Sequence, residues 1–179
     1  MSAGIATLRD AGPSGLTVRA VAAAAGCSTM AVYTHFSGKS GLVDAIVAEG
    51  HAGLNAALQA GAEANGYGDE LVSVAMAYRE WALHNPTHYQ AMYLALVPNF
   101  EASAETKAVG EAGFVAHRER VSEALGVDLA TADRVARHLW WAVHGHVQFE
   151  LLGGAHGTDD ERTAVFLEAA RWLRRGVEQ

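Results

Sequence analysis

The sequence predicts an all-α protein of about nine helices. Apolar residues recur at spacings of three and four through alanine-rich stretches. Strand-like β-branched runs are scarce, and proline occurs only at positions 13, 86 and 98. Half of the 179 residues are hydrophobic and 18% are charged, enough apolar material to bury a core without disulfides. Cys27 is alone, which excludes an internal disulfide framework and a cysteine zinc cluster.

The punctuation between periodic stretches sets each helix in turn. The first runs from about Ala3 to Ala11 and stops at Gly12-Pro13-Ser14-Gly15, because Gly favours a helix C-terminus and Pro cannot continue one. Thr17 caps a second helix through Ala25, which Gly26 ends. Ser28 caps a third to about Phe36, followed by a turn at Ser37-Gly38. Ser40 or its neighbour opens a long fourth helix through Leu42, Ile46, Leu54 and Leu58 to about Glu63. Asn65-Gly66-Tyr67-Gly68 reads as a loop. Asp69 begins a fifth helix to about His84, and Asn85-Pro86 opens a sixth to about Val97, ended by Pro98-Asn99. A seventh spans about Ser103 to Leu125, with Phe114, Val121 and Leu125 on one stripe. Asp128 or Thr131 starts an eighth, to about Leu152. Beyond the glycine-rich loop 153–157, Thr158 or Asp159 caps a ninth helix to about Arg175. Its basic end, with Arg171, Arg174 and Arg175, suits the helix dipole. Val143 to Glu150 alternates with period two, which also fits a strand. Helix is preferred because Thr131 to Trp140 leads in with period 3.6.

Charge and motifs narrow the function classes. The net charge is −7, but the first 50 residues hold three basic and three acidic groups, so the acidity lies beyond them. That balance argues against a general polyanion binder. No run approaches the ~18 apolar residues of a membrane span, and the N-terminus lacks a basic region followed by an apolar one. A cytoplasmic protein with no membrane partner is expected. There is no G-x-S-x-G, no phosphate-binding glycine loop before a helix and no H-E-x-x-H, so the chain does not read as an enzyme and no cofactor is implied. Nine histidines raise metal binding, but none shows tight ligand spacing beyond the pairs His144/Gln148 and His146/Glu150, and His84 and His88 straddle Pro86; no metal is expected.

The informative segment is 17–36. A helix, the short turn Gly26-Cys27-Ser28 and a second helix, with small residues at Ala22 to Ala25 and Ala31, make helix-turn-helix architecture. Ser28, Thr29, Tyr33, Thr34 and His35 crowd the second helix. Hydroxyls and Tyr suit phosphate oxygens, while Thr, Met30 and Ala31 can touch thymine methyls. Arg19 lies near the start of the helix before it, and Lys39 is placed to meet a phosphate. Singly, each of these residues also fits a capped surface helix.

The run Leu16-Thr17-Val18-Arg19-Ala20-Val21-Ala22-Ala23-Ala24-Ala25-Gly26-Cys27-Ser28, then Met30-Ala31-Val32-Tyr33-Thr34-His35-Phe36, then Lys39 and Leu42, resembles the DNA-binding domain of TetR-family transcriptional repressors. Tyr-x-His-Phe followed by x-x-Lys-x-x-Leu is its most diagnostic part. Beyond residue 68, Tyr78 to Pro86, Tyr89, Met92-Tyr93 and Trp141 to Gly145 are similar to one subgroup's C-terminal domain. The resemblance implies an all-α homodimer, with a helix-turn-helix domain over 1–46 and a ligand-binding and dimerisation bundle over 47–179. It implies that Thr17, Arg19, Thr29, Tyr33, His35 and Lys39 contact the DNA backbone or orient the helix. Ser28, Thr29, Met30 and Thr34 match positions that can face bases, and Val32 and Phe36 pack inward.

The resemblance also implies a small-molecule inducer. The large side chains able to give a polar contact are Trp81, Tyr89, Met92, Tyr93, Phe114, His117, Trp140 and His144, although aromatics at helical spacing are usually plain core. His144/Gln148 and His146/Glu150 lie four apart and so share helix faces. Phe166, Ala170, Leu173 and Val177 form one apolar stripe of the last helix, and Val165 and Trp172 another. Two apolar faces need two burial partners, so a dimer through helices eight and nine is expected, on a palindromic operator. One departure stands out: only four residues precede Ile5, where the family usually has a longer helix and a basic arm. Three cations per subunit would limit the log–log salt slope of a dimer to roughly −5. The alternative reading is a helical ligand-binding dimer that lacks DNA binding because of this short N-terminus.

Overall fold

The computed structural model describes residues 1–93, 97 and 100–177. Among the described residues there are nine α-helices and no strand. They are α1 (Ser2–Gly15), α2 (Val18–Ala25), α3 (Thr29–Phe36), α4 (Lys39–Ala64), α5 (Glu70–His84), α6 (Pro86–Tyr93), α7 (Ala104–Leu125), α8 (Leu129–Leu151) and α9 (Asp159–Gly176). The expected end of the sixth helix and its stop at Pro98-Asn99 lie outside the described residues.

Short polar side chains start most of these helices. Thr17 Oγ1 accepts from the Ala20 amide and Ser28 Oγ from the Ala31 amide, each at 3.1 Å. Asp69, Ser103 and Asp128 do the same for α5, α7 and α8. Thr158 and Glu161 form a reciprocal capping box on α9. Each cap stabilises its helix by about 1 kcal/mol, by pairing an amide that the helix itself cannot.

Two boundaries differ from expectation. The first helix does not stop at Gly12. The chain kinks there (φ 66°, ψ −175°) and Pro13 opens a last turn to Gly15. Proline suits that place, because its missing N–H would have no partner in a first turn. The fourth helix starts at Lys39, so Ser40 lies inside its first turn rather than capping it; the Gly38 carbonyl receives the Leu42 amide at 3.1 Å. Residues 143–150 are helical, and their alternation hides a four-residue spacing: Leu139, Val143 and Val147 are all buried.

The chain forms two compact units. One is Met1–Gly53 with Asn85–Glu111; the other is Leu54–His84 with Ala112–Gln179. The first unit packs around Leu8, Leu16, Val21, Val32, Leu42 and Ile46, with Ile5, Phe36 and Met92 against them. Burying such a side chain fully is worth about 2 kcal/mol. The Asp44 carboxylate accepts from the Ser103 amide (2.8 Å) and the Thr106 hydroxyl (3.0 Å), which ties α4 to the start of α7.

The second unit centres on Leu71, Val121, Ala132, Ala136 and Leu139, with Phe114, Leu125 and Leu173 against them. Ion pairs join its helices. Arg79 grips Glu150 with two N–H groups, at 2.8 and 2.7 Å, and also donates to Thr163 at 3.0 Å. Both side chains of the pair are under a tenth exposed. Arg162 reaches the same carboxylate at 3.1 Å, and Arg174 pairs with Asp69 at 2.9 Å. Burial pushes the Glu150 carboxyl up, but its bonds and attraction to Arg79 and Arg162 outweigh that and hold it below the usual carboxylate range.

Candidate functional site

The α2–α3 corner presents one polar surface. Its turn works because Gly26 adopts left-handed φ (65°), which lets the Cys27 amide reach the Ala22 carbonyl at 3.0 Å. Beneath the corner, Val21, Ala22 and Val32 are buried and Phe36 is half-buried. The next corner is equally constrained: a Cβ on Gly41 would fall on the Phe36 carbonyl, so only glycine allows α4 to leave α3 there. The outer face carries Thr17, Arg19, Ser28, Thr29, Met30, Tyr33, Thr34 and His35, all exposed. Met30 is 70% and Tyr33 54% exposed.

The hydrogen bonds show what each group can still offer. Thr17 and Ser28 spend an oxygen lone pair on their caps, which leaves each hydroxyl hydrogen able to donate outward. Thr34 does the reverse. Its hydroxyl donates back to the Met30 carbonyl at 2.9 Å, leaving oxygen lone pairs and a methyl facing out. The Tyr33 ring lies over Gly38, 3.2 Å from where a Cβ there would sit, so the ring is braced while its exposed side faces solvent. Lys39 is half-buried and spends one N–H on the Pro13 carbonyl at 2.8 Å, bracing the end of α1. Arg9 and Asp10 pair with each other on the surface at 2.7 Å.

The expected ligand residues divide between the two units. Tyr89, Met92 and Tyr93 lie in the first, where Tyr89 is fully buried against Tyr93 and Met92 touches Gly50. Phe114, His117, Trp140 and His144 lie in the second, around a cavity of about 40 Å³. His117 and Trp140 line it, and Phe114 meets the Trp140 ring edge-on with centroids 6.3 Å apart. His144 is held by the Tyr78 hydroxyl, which does line the cavity, at 3.0 Å. Trp81 does not line it. Sequence reasoning missed the apolar majority of the lining, Leu58, Leu71, Val74, Leu139 and Val143, and also Tyr78 and Arg174. Tyr78 was within reach, since it opens the Tyr-Arg-Glu-Trp run already singled out.

Neither expected i, i+4 histidine pair is seen as a pair. His144 goes to Tyr78, Glu150 goes to the two arginines, and His146 packs edge-on against Phe166 at 4.9 Å. The long-range partners win because each satisfies a buried group across two helices. Among the described residues no three His, Cys, Asp or Glu side chains gather in a way that could hold a metal.

His117 is the unusual group of the cavity. It is 7% exposed, and neither ring nitrogen has a partner in good hydrogen-bond geometry, the Ala136 backbone offering only a weak one. Burial pushes its pKa down to about 4; the nearby Ala136 backbone opposes this and the Arg120 charge adds to it. At neutral pH the ring is therefore an uncharged donor and acceptor.

Comparison with known proteins agrees with this geometry. The family model described as bacterial regulatory proteins, tetR family, matches residues 1–46, and the tetracyclin repressor-like C-terminal domain matches residues 71–172. The HTH-type transcriptional regulator Rv1816 of Mycobacterium tuberculosis is 28% identical over 104 residues, which are 56% of this chain and 44% of that protein. The match thus spans less than half of that relative. A structure of a protein of unknown function from Rhodococcus sp. RHA1 superposes with a TM-score of 0.81 at 26% identity, covering 99% of this chain and 93% of that one. A tetR-family regulatory protein from Rhodococcus RHA1 shares the fold at 22% identity, with a TM-score of 0.69 over 97% and 92% of the two chains. Taken with the exposed helix-turn-helix face, the two family matches, which together span most of the sequence, establish that the chain belongs to the TetR family of bacterial regulatory proteins.

Proposed function

We propose that the chain is a DNA-binding transcriptional repressor that acts in the cytoplasm as a homodimer and leaves a palindromic operator when a small molecule binds. In this reading residues 1–46 meet DNA, and residues 47–179 carry the ligand and dimer contacts. The observation that carries it is the outer face of α3. An eight-residue helix with its inner side packed in the core still exposes Met30 and Tyr33 among hydroxyls and an imidazole. Large apolar groups left in water beside polar donors suit a surface that another molecule covers. Arg19, Tyr33, His35 and Lys39 supply sequence-independent affinity; Thr29, Met30 and Thr34 set base preference, and Thr17 and Ser28 donate to phosphates while capping their helices, which takes Ser28 out of the base-facing set that the resemblance implies.

The dimer has its own support. Trp141 and Phe149 are both 61% exposed on α8, and Trp172 is 64% exposed on α9. Gly145 lies one turn from each of the first two, and a Cβ there would meet nothing within the protomer. An apolar stripe with a gap at its centre fits close approach of a second copy through helices eight and nine, and two-fold symmetry then calls for a palindromic site. A ligand that binds better to the conformation unable to span both half-sites would release DNA by that difference in affinity.

The test is selection of bound duplexes from a random pool, alongside a Tyr33→Ala control. The expected result is a palindromic consensus that the control fails to enrich. Absence of any enriched site from the native chain would refute the repressor reading in favour of a helical ligand-binding dimer without DNA function. A monomer at micromolar concentration in analytical ultracentrifugation would refute the two-fold arrangement.

A further inference from the structure

We propose that the open groove between α5 and the α8–α9 loop takes an organic cation, an apolar ring carrying an ammonium group, with the ammonium on Glu80. This rests on the reading of residues 47–179 as the ligand-binding part and names the chemistry of that ligand.

Room comes first. The cavity beside His117 has about 40 Å³, well short of the ~150 Å³ that holds one benzene ring, so a ring-sized ligand needs another place. The second unit offers one. A groove of about 760 Å³ lies where α5 faces the end of α8, the loop after it and the start of α9. Small-molecule sites span roughly 300–1,000 Å³. Its apolar wall is Met76, Leu83 and Leu151, and Tyr67, 42% exposed, adds an aromatic ring. A thioether and a phenol ring both suit a flat apolar body, and the phenol ring also attracts a cation.

Charge is the second argument. Arg79 gives its three nitrogens to Glu150 and Thr163. Arg162 gives its three to Glu150, the Gly157 carbonyl and Asp159. Both cations of the groove are thus spent on the protein, and its three carboxylates, Glu80, Glu150 and Asp159, leave one negative charge in excess. The excess sits at Glu80, which is exposed and pairs with no cation among the described residues. His84 stands four positions on, on the same face of α5. Its Nδ1 meets the Glu80 carbonyl at 2.8 Å; a carbonyl only accepts, so Nδ1 carries the hydrogen and the neutral ring keeps Nε2 as an acceptor. An ammonium group has N–H donors for both the carboxylate and the imidazole. A carboxylate ligand would meet like charge at Glu80 and Asp159 instead. Among the described residues no three His, Cys, Asp or Glu gather to hold a metal, so the cation that fits is an organic one.

Benzylammonium, toluene and benzoate, alike in their ring and different in charge, are the probes, titrated against the native chain, Glu80→Gln and Glu123→Gln. The methyl signals of Met76, Leu83 and Leu151 report entry to the groove, and those of Val74 and Leu139 entry to the inner cavity. The expected result is that benzylammonium shifts the groove signals alone and binds more tightly than toluene, while benzoate stays out. Its affinity should fall about threefold to fivefold in Glu80→Gln, the upper range of one exposed ion pair. It should hold in Glu123→Gln, which removes an exposed carboxylate outside the groove and so controls for the net negative charge of the chain. Both substitutions fall on exposed helix positions and leave the core untouched. Equal losses in the two variants, preference for benzoate, or entry by no probe would overturn the proposal. Binding is measured without DNA, so the two levels separate. Release of the selected operator by a different compound, with benzylammonium absent from the groove, overturns the ligand class and keeps the repressor reading. Benzylammonium held at Glu80 by a chain that selects no operator keeps the site and overturns the repressor reading.

Discussion

The reading head and the helical bundle keep their polar chemistry in opposite ways. In the head, all the groups proposed to meet DNA except the half-buried Lys39 are exposed, and three are held by partners three or four positions away: Thr17 by Ala20, Ser28 by Ala31, Thr34 by Met30. In the bundle, the chemistry is buried and the partners are distant. Glu150 is 71 positions from Arg79, and Arg174 is 105 from Asp69. A group in water costs little to leave unpaired, so the head can hold donors in reserve for a phosphate. A group in the core must be satisfied at once, so the bundle spends its donors on itself. His117 and the neighbouring Arg118 Nε depart from the bundle's rule.

The largest effect should come from the most buried pair. Glu150→Gln leaves the Arg79 guanidinium in the core without a counter-charge, and should destabilise the protein by about 3 kcal/mol in denaturant unfolding. Replacing the pair together, Arg79→Met with Glu150→Leu, should recover most of that loss, because no isolated charge remains. If Glu150→Gln cost less than about 1 kcal/mol, the pair would be behaving as a surface ion pair and the contrast between the units would be wrong.

The next effect depends on pH. The folded pKa of His117, about 4, lies below its ordinary 6.5. Between these values the unfolded chain holds more protons, so stability is full above about pH 6.5 and declines as pH falls towards 4. At pH 5 the loss from this one group is about 2 kcal/mol. His51 and His144, also lowered by burial, act with the same sign, and Glu150 adds its own loss only below its ordinary 4.5. Unfolding of the native chain and His117→Leu at pH 7 and pH 5 isolates the term: the variant should lose about 2 kcal/mol less. Equal losses would mean that His117 titrates like an exposed histidine.

The same contrast explains what the sequence made legible. Capping is local, so Thr17, Ser28, Asp128 and Thr158 could be read with their helices, while the packed and open faces of α3 followed from the family resemblance of its residues. Tertiary choice is not local. Tyr89, Met92 and Tyr93 carry the same apolar signal as Trp140, and nothing in helical periodicity says which of two cores a stripe will join. His144 was matched to Gln148 because they share a face, whereas its partner Tyr78 sits on another helix, 66 positions away. Lys39 looked like a plain phosphate contact, and its bond to the Pro13 carbonyl depends on a kink at Gly12 that the Gly-Pro pair signalled only as a stop.

The smallest effect tests whether a head residue serves both folding and binding. Ser28 caps α3 through its oxygen, and in our reading it also donates its hydroxyl hydrogen to a phosphate. Glycine is nearly as good a cap as serine, so Ser28→Gly should cost only a few tenths of a kcal/mol in stability, against about 1 for Ser28→Ala. If the hydroxyl also meets DNA, both variants lose one hydrogen bond, and operator affinity should fall about threefold to tenfold in each. The loss should be alike for specific and non-specific duplexes, because a phosphate carries no base identity. Should Ser28→Gly bind as tightly as the native chain while Ser28→Ala binds less well, Ser28 acts on DNA only by holding α3 together. The donor held in reserve would then have to be sought at Thr17, where the same pair of substitutions gives the same separation.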